Sequence, residues 1–515
     1  MRESGILFPI FSLPSRYGIG CFSKEAYDFV DFLYESGQGF WQILPIGPTG
    51  FGNSPYQPFS AFAGNPYFIS PDVLIEDGLL TREEADACFF GSDQEKVDYG
   101  ALYENRFPLL KKAFARFQEK AAGDAALQKE YEEYLKEEAG WLTDYALFTT
   151  IKEQQNGASW LDWDEPLRTR SASALENAKQ AGKDTFDFTC FLQFYFDRQW
   201  KKLRAYANQK NVKIIGDLPF YVALDSADAW AHPEVFLMEK DLTPKAVAGC
   251  PPDAFSPTGQ LWGNPIYDWE GLKRNGYDWW VKRMKRNYTF YDVIRIDHFH
   301  GFAEYYAIPY QDKTAENGKQ QKGPGMDLFR VLEDQIENLH IIAEDLGTNT
   351  PENEKLLADS GFPGMKVLQY GFTSWDSYYV NHRHIQNCVV YTGTHDNTPT
   401  RAWVEEIQDH ERNFARRYIN SIDTDYGKFV WDFIREAYRS VANLCIIPLQ
   451  DYLCKGKEAR INSPGTADGN WQWRLQPNFL SKDLSRSIRE LAEIYSRIPA
   501  EPEGRDQEES KGKTD

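Results

Sequence analysis

The chain has 515 residues, 42% of them hydrophobic and 26% charged, and none of its apolar runs is long enough to span a bilayer. A formal net charge of −20 repels nucleic-acid phosphates and anionic membrane surfaces, which excludes both as expected partners. Seven scattered cysteines without a CxxC pair argue against a disulfide framework or a thiolate zinc site, and they fit reduced thiols in the cytoplasm.

The N-terminal MRESGILFPIFSLPS carries Glu3 and prolines within its apolar patch, so it reads as a first strand at 5–10 and not as a secretory leader. A helix at 24–36 follows, with Tyr27, Phe29, Val30, Phe32 and Leu33 as its apolar set, then a second strand, FWQILPI, at 40–46. Residues 47–71 are a long loop rich in Gly, Pro, Ser and aromatics, and a loop of that length in a compact chain carries function. Its Gly47, Gly50 and Gly52 lack the Lys-Ser/Thr of a phosphate loop. From 81 to 183 the composition turns to Ala, Glu, Lys and Gln with helical period, predicting a helical insertion. A helix at 191–209 returns the chain to a strand, VKIIG, at 212–216.

Residues 221–276, centred on GCPPDAFSPTGQLWGNPIY, show neither helix nor strand period. Helices are predicted at 277–288 and 326–339, strands at 293–296, 340–346, 365–369, 388–392 and 444–449, and a partly helical stretch at 400–410. Leu484, Ile488, Leu491 and Ile494 make 481–496 an amphipathic helix, and the charged 500–515 is expected to be a disordered tail.

Eight strands separated by helices predict a parallel α/β architecture. Asp217, Asp297, Glu344 and Asp396 all fall at or just beyond the C-terminal ends of strand runs. In a (β/α)8 TIM barrel those ends meet on one rim, whereas a doubly wound sheet gathers only the strands at its switch point. The expected organisation is therefore a barrel over 1–499. A mainly helical insertion at 72–190 interrupts it, as does a loop insertion at 218–276 that covers the cleft, and the tail at 500–515 ends the chain.

Converging carboxylates suit a hard cation or glycoside chemistry, in which one carboxylic acid protonates the leaving oxygen and a carboxylate attacks from the opposite face. Arg295 precedes Asp297 on the same strand face and is expected to keep it anionic, as a nucleophile requires. Pattern alone does not separate Glu344 from Asp345, nor say which carboxylate is the acid. The pairs His298/His300 and His382/His384 have HxH spacing, but such pairs are more often hydrogen-bonding residues, so no metal is expected. The high aromatic content, 15%, suits a neutral polyhydroxylated ligand with stackable C–H faces.

The stretches SLPSRYGIG, SPYQPFSAFAGNP, IIGDLPFYVA, PPDAFSPTGQLWGNPIYDW, VIRIDHFHGF, IIAEDLG, YTGTHDNTPT and GNWQWRL occur in this order between Ser12 and Leu475. Together they resemble the amylomaltases, the 4-α-glucanotransferases or disproportionating enzymes of the α-amylase clan. The resemblance implies a cofactor-free transferase acting on maltooligosaccharides and other α-1,4-glucans by a retaining double displacement. An α-glucan hydrolase using water as acceptor is the alternative. It further implies Asp297 as nucleophile, Glu344 as general acid/base and Asp396 as a sugar-binding carboxylate. Tyr56, Asp217, Arg295, His395 and Asn462 would bind the sugar at the cleavage subsite. Phe255, Gln260 and Trp262 would lie on a loop over the cleft. The DHFxGF motif carries histidine at position 300 here, where many members have arginine.

Overall fold

The computed structural model describes residues 2–50, 52–252, 256–347, 349–421, 424–466 and 468–500. Phe255 and the tail from 501 onward lie outside them. Twelve strands occur among the described residues. They are β1 (Glu3–Leu7), β2 (Phe40–Gln42), β3 (Lys213–Leu218), β4 (Ala246–Cys250), β5 (Gln260–Pro265) and β6 (Val293–Ile296), followed by β7 (Glu304–Pro309), β8 (Lys319–Lys322), β9 (Ile341–Ala343), β10 (Gly364–Val367), β11 (Cys388–Tyr391) and β12 (Leu444–Pro448).

Eight of them close a parallel barrel in the order β1-β12-β11-β10-β9-β6-β3-β2, and these are the eight strands predicted from periodicity. Alternation fills both sides. Leu7, Phe40, Ile215, Ile342, Met365, Val389 and Ile446 pack inside the barrel. Ile6, Trp41, Ile214, Ile294, Val390 and Ile447 point outward into the main core beneath the helices. Gly5 makes the inner layer possible, because a Cβ there would stand 2.6 Å from the Phe40 Cβ and 2.8 Å from Ile446 Cδ1. The barrel closes where β1 pairs with β12, Gly5 opposite Ile446. Below that seam the fully buried Arg497 guanidinium donates to the carbonyls of Glu3, Tyr438, Ser440 and Ala442.

Between β2 and β3 the described residues are mainly helical. Helices Tyr99–Gly123, Ala125–Glu137, Ala139–Gln154 and Ala172–Ala181 pack on the long helix Lys183–Gln209. Side-chain caps start three of them: Asp98 accepts from Ala101 N, Asp124 from Ala126 N and Leu127 N, and Ser171 from Ala174 N. A cavity of about 360 Å³ lies between these helices, with Phe114, Phe117, Tyr131 and Phe186 in its wall.

The segment 221–276 departs from the sequence reading. It contains β4 and β5, which join β7 and β8 in a four-stranded antiparallel sheet of order β5-β4-β7-β8. Its strands lack a hydrophobic alternation because much of the sheet is solvated: all four residues of β8 are exposed, and β5 begins with exposed Gln260 and Leu261. No helix of the described residues is long and apolar enough to cross a membrane.

Candidate active site

Strand register builds the site from below. Asp217 on β3 and Arg295 on β6 are directly paired across the barrel wall. Arg295 Nη1 donates to both carboxylate oxygens of Asp217, at 2.7 and 2.6 Å, and to Asp297 Oδ1 at 3.2 Å. Asp297 follows β6 and stays in register through its N–H to the Leu218 carbonyl, 2.9 Å. Glu344 follows β9 in the same way, its N–H donating to the Ile296 carbonyl at 3.1 Å. The ends of three neighbouring strands thus present Asp217, Asp297 and Glu344 together.

Glu344 is gripped by main chain. His298 N–H donates to Oε2 and Leu346 N–H to Oε1, both at 2.8 Å. The first of these requires His298 to turn into the left-handed region, φ 54°. Asp345, which pattern could not separate from Glu344, turns to β10 instead and accepts from Met365 N at 2.6 Å.

Asp396 lies beyond β11 in a turn closed by the Asn397 side chain, which accepts from Thr394 N at 2.8 Å. Its Oδ1 accepts from Asn462 Nδ2 at 2.6 Å. Arg460 backs this pair by donating to the carbonyls of Asp396 and Asn462. The Tyr56 hydroxyl reaches both Asp217 Oδ2 and His395 Nε2 at 2.8 Å, with the Tyr56 and His395 rings stacked 5.3 Å apart. A phenol has one proton, and Asp217, paired with Arg295, accepts it. His395 Nε2 must then be the protonated nitrogen that donates to Tyr56, leaving Nδ1 as the acceptor atom.

Electrostatics correct one expectation. Arg295 does pull the Asp297 carboxyl downward, but its closest contacts go to Asp217. Burial, reinforced by the charges of Asp217, Glu344 and Asp396, pushes Asp297 well above the ordinary carboxylate value. Burial also raises Glu344, against the opposing pull of Arg295 and the two N–H donors. Burial lowers His395 and takes His298 down to about 4, so both imidazoles are neutral near pH 7. Interacting carboxyls of this kind titrate as a group.

Over this floor stands β5. The half-buried Trp262 meets the His298 ring edge-on at 5.2 Å and lies 6.3 Å from Tyr221, while its Nε1 donates to the exposed Gln260 at 3.1 Å. Asn264 ties the same strand to the 47–71 loop by a reciprocal amide pair with Gln57, 3.2 Å each way. The structure therefore brings Tyr56, Asp217, Arg295, Asp297, Glu344, His395, Asp396 and Asn462 into one cluster. Trp262 and Gln260 sit beside it through His298, and Phe255 lies outside the described residues.

The histidines of the HxH pairs make contacts with neighbouring side chains and main chain. The His298 ring faces Trp262 and Tyr221, His382 contacts the Tyr418 hydroxyl, and His384 contacts Ser440 and the Tyr379 carbonyl. Three residues of the site escaped the sequence reading. Trp471, with its ring 5.7 Å from Tyr56, was visible as an aromatic in GNWQWRL. Tyr370, whose hydroxyl accepts from Asn397 at 3.1 Å, and Arg460 carry no local signal.

Known proteins resemble this chain over nearly its whole length. A family model described as 4-alpha-glucanotransferase matches residues 8–481. The 4-alpha-glucanotransferase of Clostridium butyricum is 45% identical over 491 residues, 95% of this chain and 99% of that protein. That of Thermus thermophilus is 43% identical over 507 residues, 96% of this chain and 99% of that protein. Among solved structures, amylomaltase from Streptococcus agalactiae in complex with acarbose superposes with a TM-score of 0.93 at 39% identity, covering 97% of this chain and all of that one. Fold, carboxylate cluster and full-length similarity coincide, and the chain belongs to the 4-α-glucanotransferase family.

Proposed function

We propose that this chain performs its 4-α-glucanotransferase reaction by a retaining double displacement, with Asp297 as nucleophile, Glu344 as acid and base, and maltooligosaccharides as donors and acceptors. The observation that carries the reading is the difference between two adjacent carboxylates. Asp297 has one charged donor, Arg295, on Oδ1, and its side chain is 30% accessible. Glu344 is aimed by two main-chain donors, one on each oxygen, which fixes in place a group that must give and take a proton.

In the first step the Glu344 proton passes to the glycosidic oxygen as the bond from that oxygen to the anomeric carbon breaks, and an oxygen of ionised Asp297 bonds to that carbon. In the second, Glu344 takes the proton of an incoming glucan 4-hydroxyl. That oxygen bonds to the anomeric carbon, and Asp297 leaves as a carboxylate. Two inversions return an α-1,4 bond. Asp396, fixed by Asn462, accepts hydrogen bonds from sugar hydroxyls, as does the Asp217–Tyr56–His395 group. The sheet edge carrying Trp262 and Gln260 forms the cover that disfavours water. The insertions at 72–190 and 218–276 are additions to one catalytic barrel, and the scattered cysteines support a cytoplasmic setting.

Incubation with maltotriose tests the reading. Free glucose with a ladder of longer maltooligosaccharides is the expected product set. Shorter sugars alone, with reducing ends rising in step with cleavage, would assign the chemistry to water as acceptor.

A further inference from the structure

The helix Lys183–Gln209 is apolar over most of its length, FDFTCFLQFYFDRQW, yet besides Thr189, which bonds back to its own helix, it buries Gln193, Asp197 and Gln199, 0%, 2% and 3% exposed. A buried polar group in an apolar helix is unfavourable unless it is fully bonded. The two glutamines and the aspartate are bonded, directly or through one arginine, to the same partner, the 47–71 loop.

Gln193 reads Gly64 like a strand neighbour. Its Oε1 accepts from Gly64 N at 2.7 Å and its Nε2 donates to Gly64 O at 2.9 Å. Only glycine fits there, since a Cβ at Gly64 would stand 2.1 Å from the Phe196 ring. Gln199 repeats the pairing on Ser70, accepting from its N–H at 2.7 Å and donating to its carbonyl at 3.4 Å. Asp197 takes both terminal nitrogens of Arg286 at 2.9 Å, and Arg286 Nε donates to the Phe62 carbonyl at 3.0 Å. Buried Asp228 accepts from the preceding residue, Ala61 N, at 2.8 Å. Before that point the loop is closed by Phe59 N to Pro48 O, 3.0 Å, which leaves Tyr56 at its tip against Asp217 and His395.

We infer that Gln193 is a positioning residue for catalysis: through the main chain of the 47–71 loop, the helical insertion sets the Tyr56 hydroxyl between Asp217 and His395. The inference rests on the proposed role of Tyr56 at the cleavage subsite. The tip of the loop is closed by Phe59 N on Pro48 O and tied to β5 through Gln57 and Asn264, and the amide rungs fix the limb by which that tip is attached to the body.

A double-variant cycle on maltotriose disproportionation tests this. Gln193→Met keeps the volume and removes both rungs. A shift of an ångström at a reacting centre can cost about 100-fold, so a loss of roughly tenfold in kcat/KM is expected per folded enzyme. Tyr56→Phe should lose activity too, and Gln193→Met added to Tyr56→Phe should lose nothing more, because the two act as one unit. Gln193→Glu, buried and therefore neutral, offers the same acceptor and donor and should recover most of the parent rate. Unchanged kcat/KM in folded Gln193→Met, losses that multiply in the double variant, or a silent Tyr56→Phe would each overturn the inference while the transfer products stay as described. If Gln193→Met does not fold, Gln199→Met carries the same cycle with a smaller loss, and full activity or multiplying losses there overturn it equally. Hydrolytic products alone from the parent enzyme would instead strike the transferase reading and leave this cycle intact.

Discussion

Arg286 and Arg295 are both buried against carboxylates, one in the seam between the helical insertion and the barrel, the other inside the barrel mouth. Every nitrogen of Arg286 has an oxygen to serve. The fork takes Asp197 bidentately, Nε takes the Phe62 carbonyl, and Glu138 stands at 3.3 Å. Arg295 spends one nitrogen on both Asp217 oxygens and on Asp297, while its Nε rests against the weak acceptor Met365 Sδ at 3.4 Å. Asp217, Asp297 and Glu344 share a single guanidinium. Where the bonds close, the ion pair secures structure. Where negative charge is left over, proton affinity becomes adjustable, and that is what chemistry on a sugar needs.

The contrast can be broken from either side. Asp297→Asn should lower kcat by at least about 10⁴-fold while glucan binding, followed by calorimetry, persists. The same variant should melt at a higher temperature at neutral pH. The folded Asp297 carboxyl lies above its unfolded value, so its ionisation works against the fold; that penalty is absent below about pH 3.9 and full above the folded value. The stabilisation should therefore vanish in acid. Glu344→Gln should lower kcat by about 10²–10⁴-fold without any gain in melting temperature. Its amide NH₂ would face one of the two N–H groups of His298 and Leu346 that now share the carboxylate.

Arg286→Met addresses the closed pair. Leaving Asp197 buried and unpaired should cost about 3–5 kcal/mol in urea unfolding. Arg295→Met addresses the crowded one. With the opposing positive charge gone, the acidic limb of kcat/KM should move to higher pH by about 1 unit or more. A downward shift, or none, would mean that Arg295 does not act on the ionisation of Asp297.

The barrel was readable in the sequence because a strand buried on both faces needs a short apolar run, and runs such as VIRI and CVVY have no competing explanation. Their carboxylate endings marked the rim. The sheet β5-β4-β7-β8 was not readable: KQQK is exposed throughout and QLWGNP is buried only at its end, so neither alternates, and the two local pairs are joined by β4 meeting β7, Val247 opposite Ile308. Asp297 and Glu344 were legible as positions, but the charge of Asp297 was not. One neighbouring arginine is visible in sequence, whereas Asp217, Glu344 and Asp396 reach it only through the fold. Gln193 and Gln199 could have been noticed as polar residues in an aromatic helix, yet nothing local says that their partners are main-chain atoms of Gly64 and Ser70.

The seam at β1 has a consequence for how the molecule is made. β1 finds β2 early, but its other edge pairs with β12, and the Arg497 guanidinium that fastens both ends comes later still. Until residues 444–448 are synthesised, the nascent sheet has two open edges and its inner layer lacks Ile446. Closure over so long a sequence separation is slow, and unpaired parallel edges are where nascent chains associate wrongly. The barrel is thus an all-or-nothing object during translation, and a chain cut short before β12 yields no partial enzyme, only an open sheet.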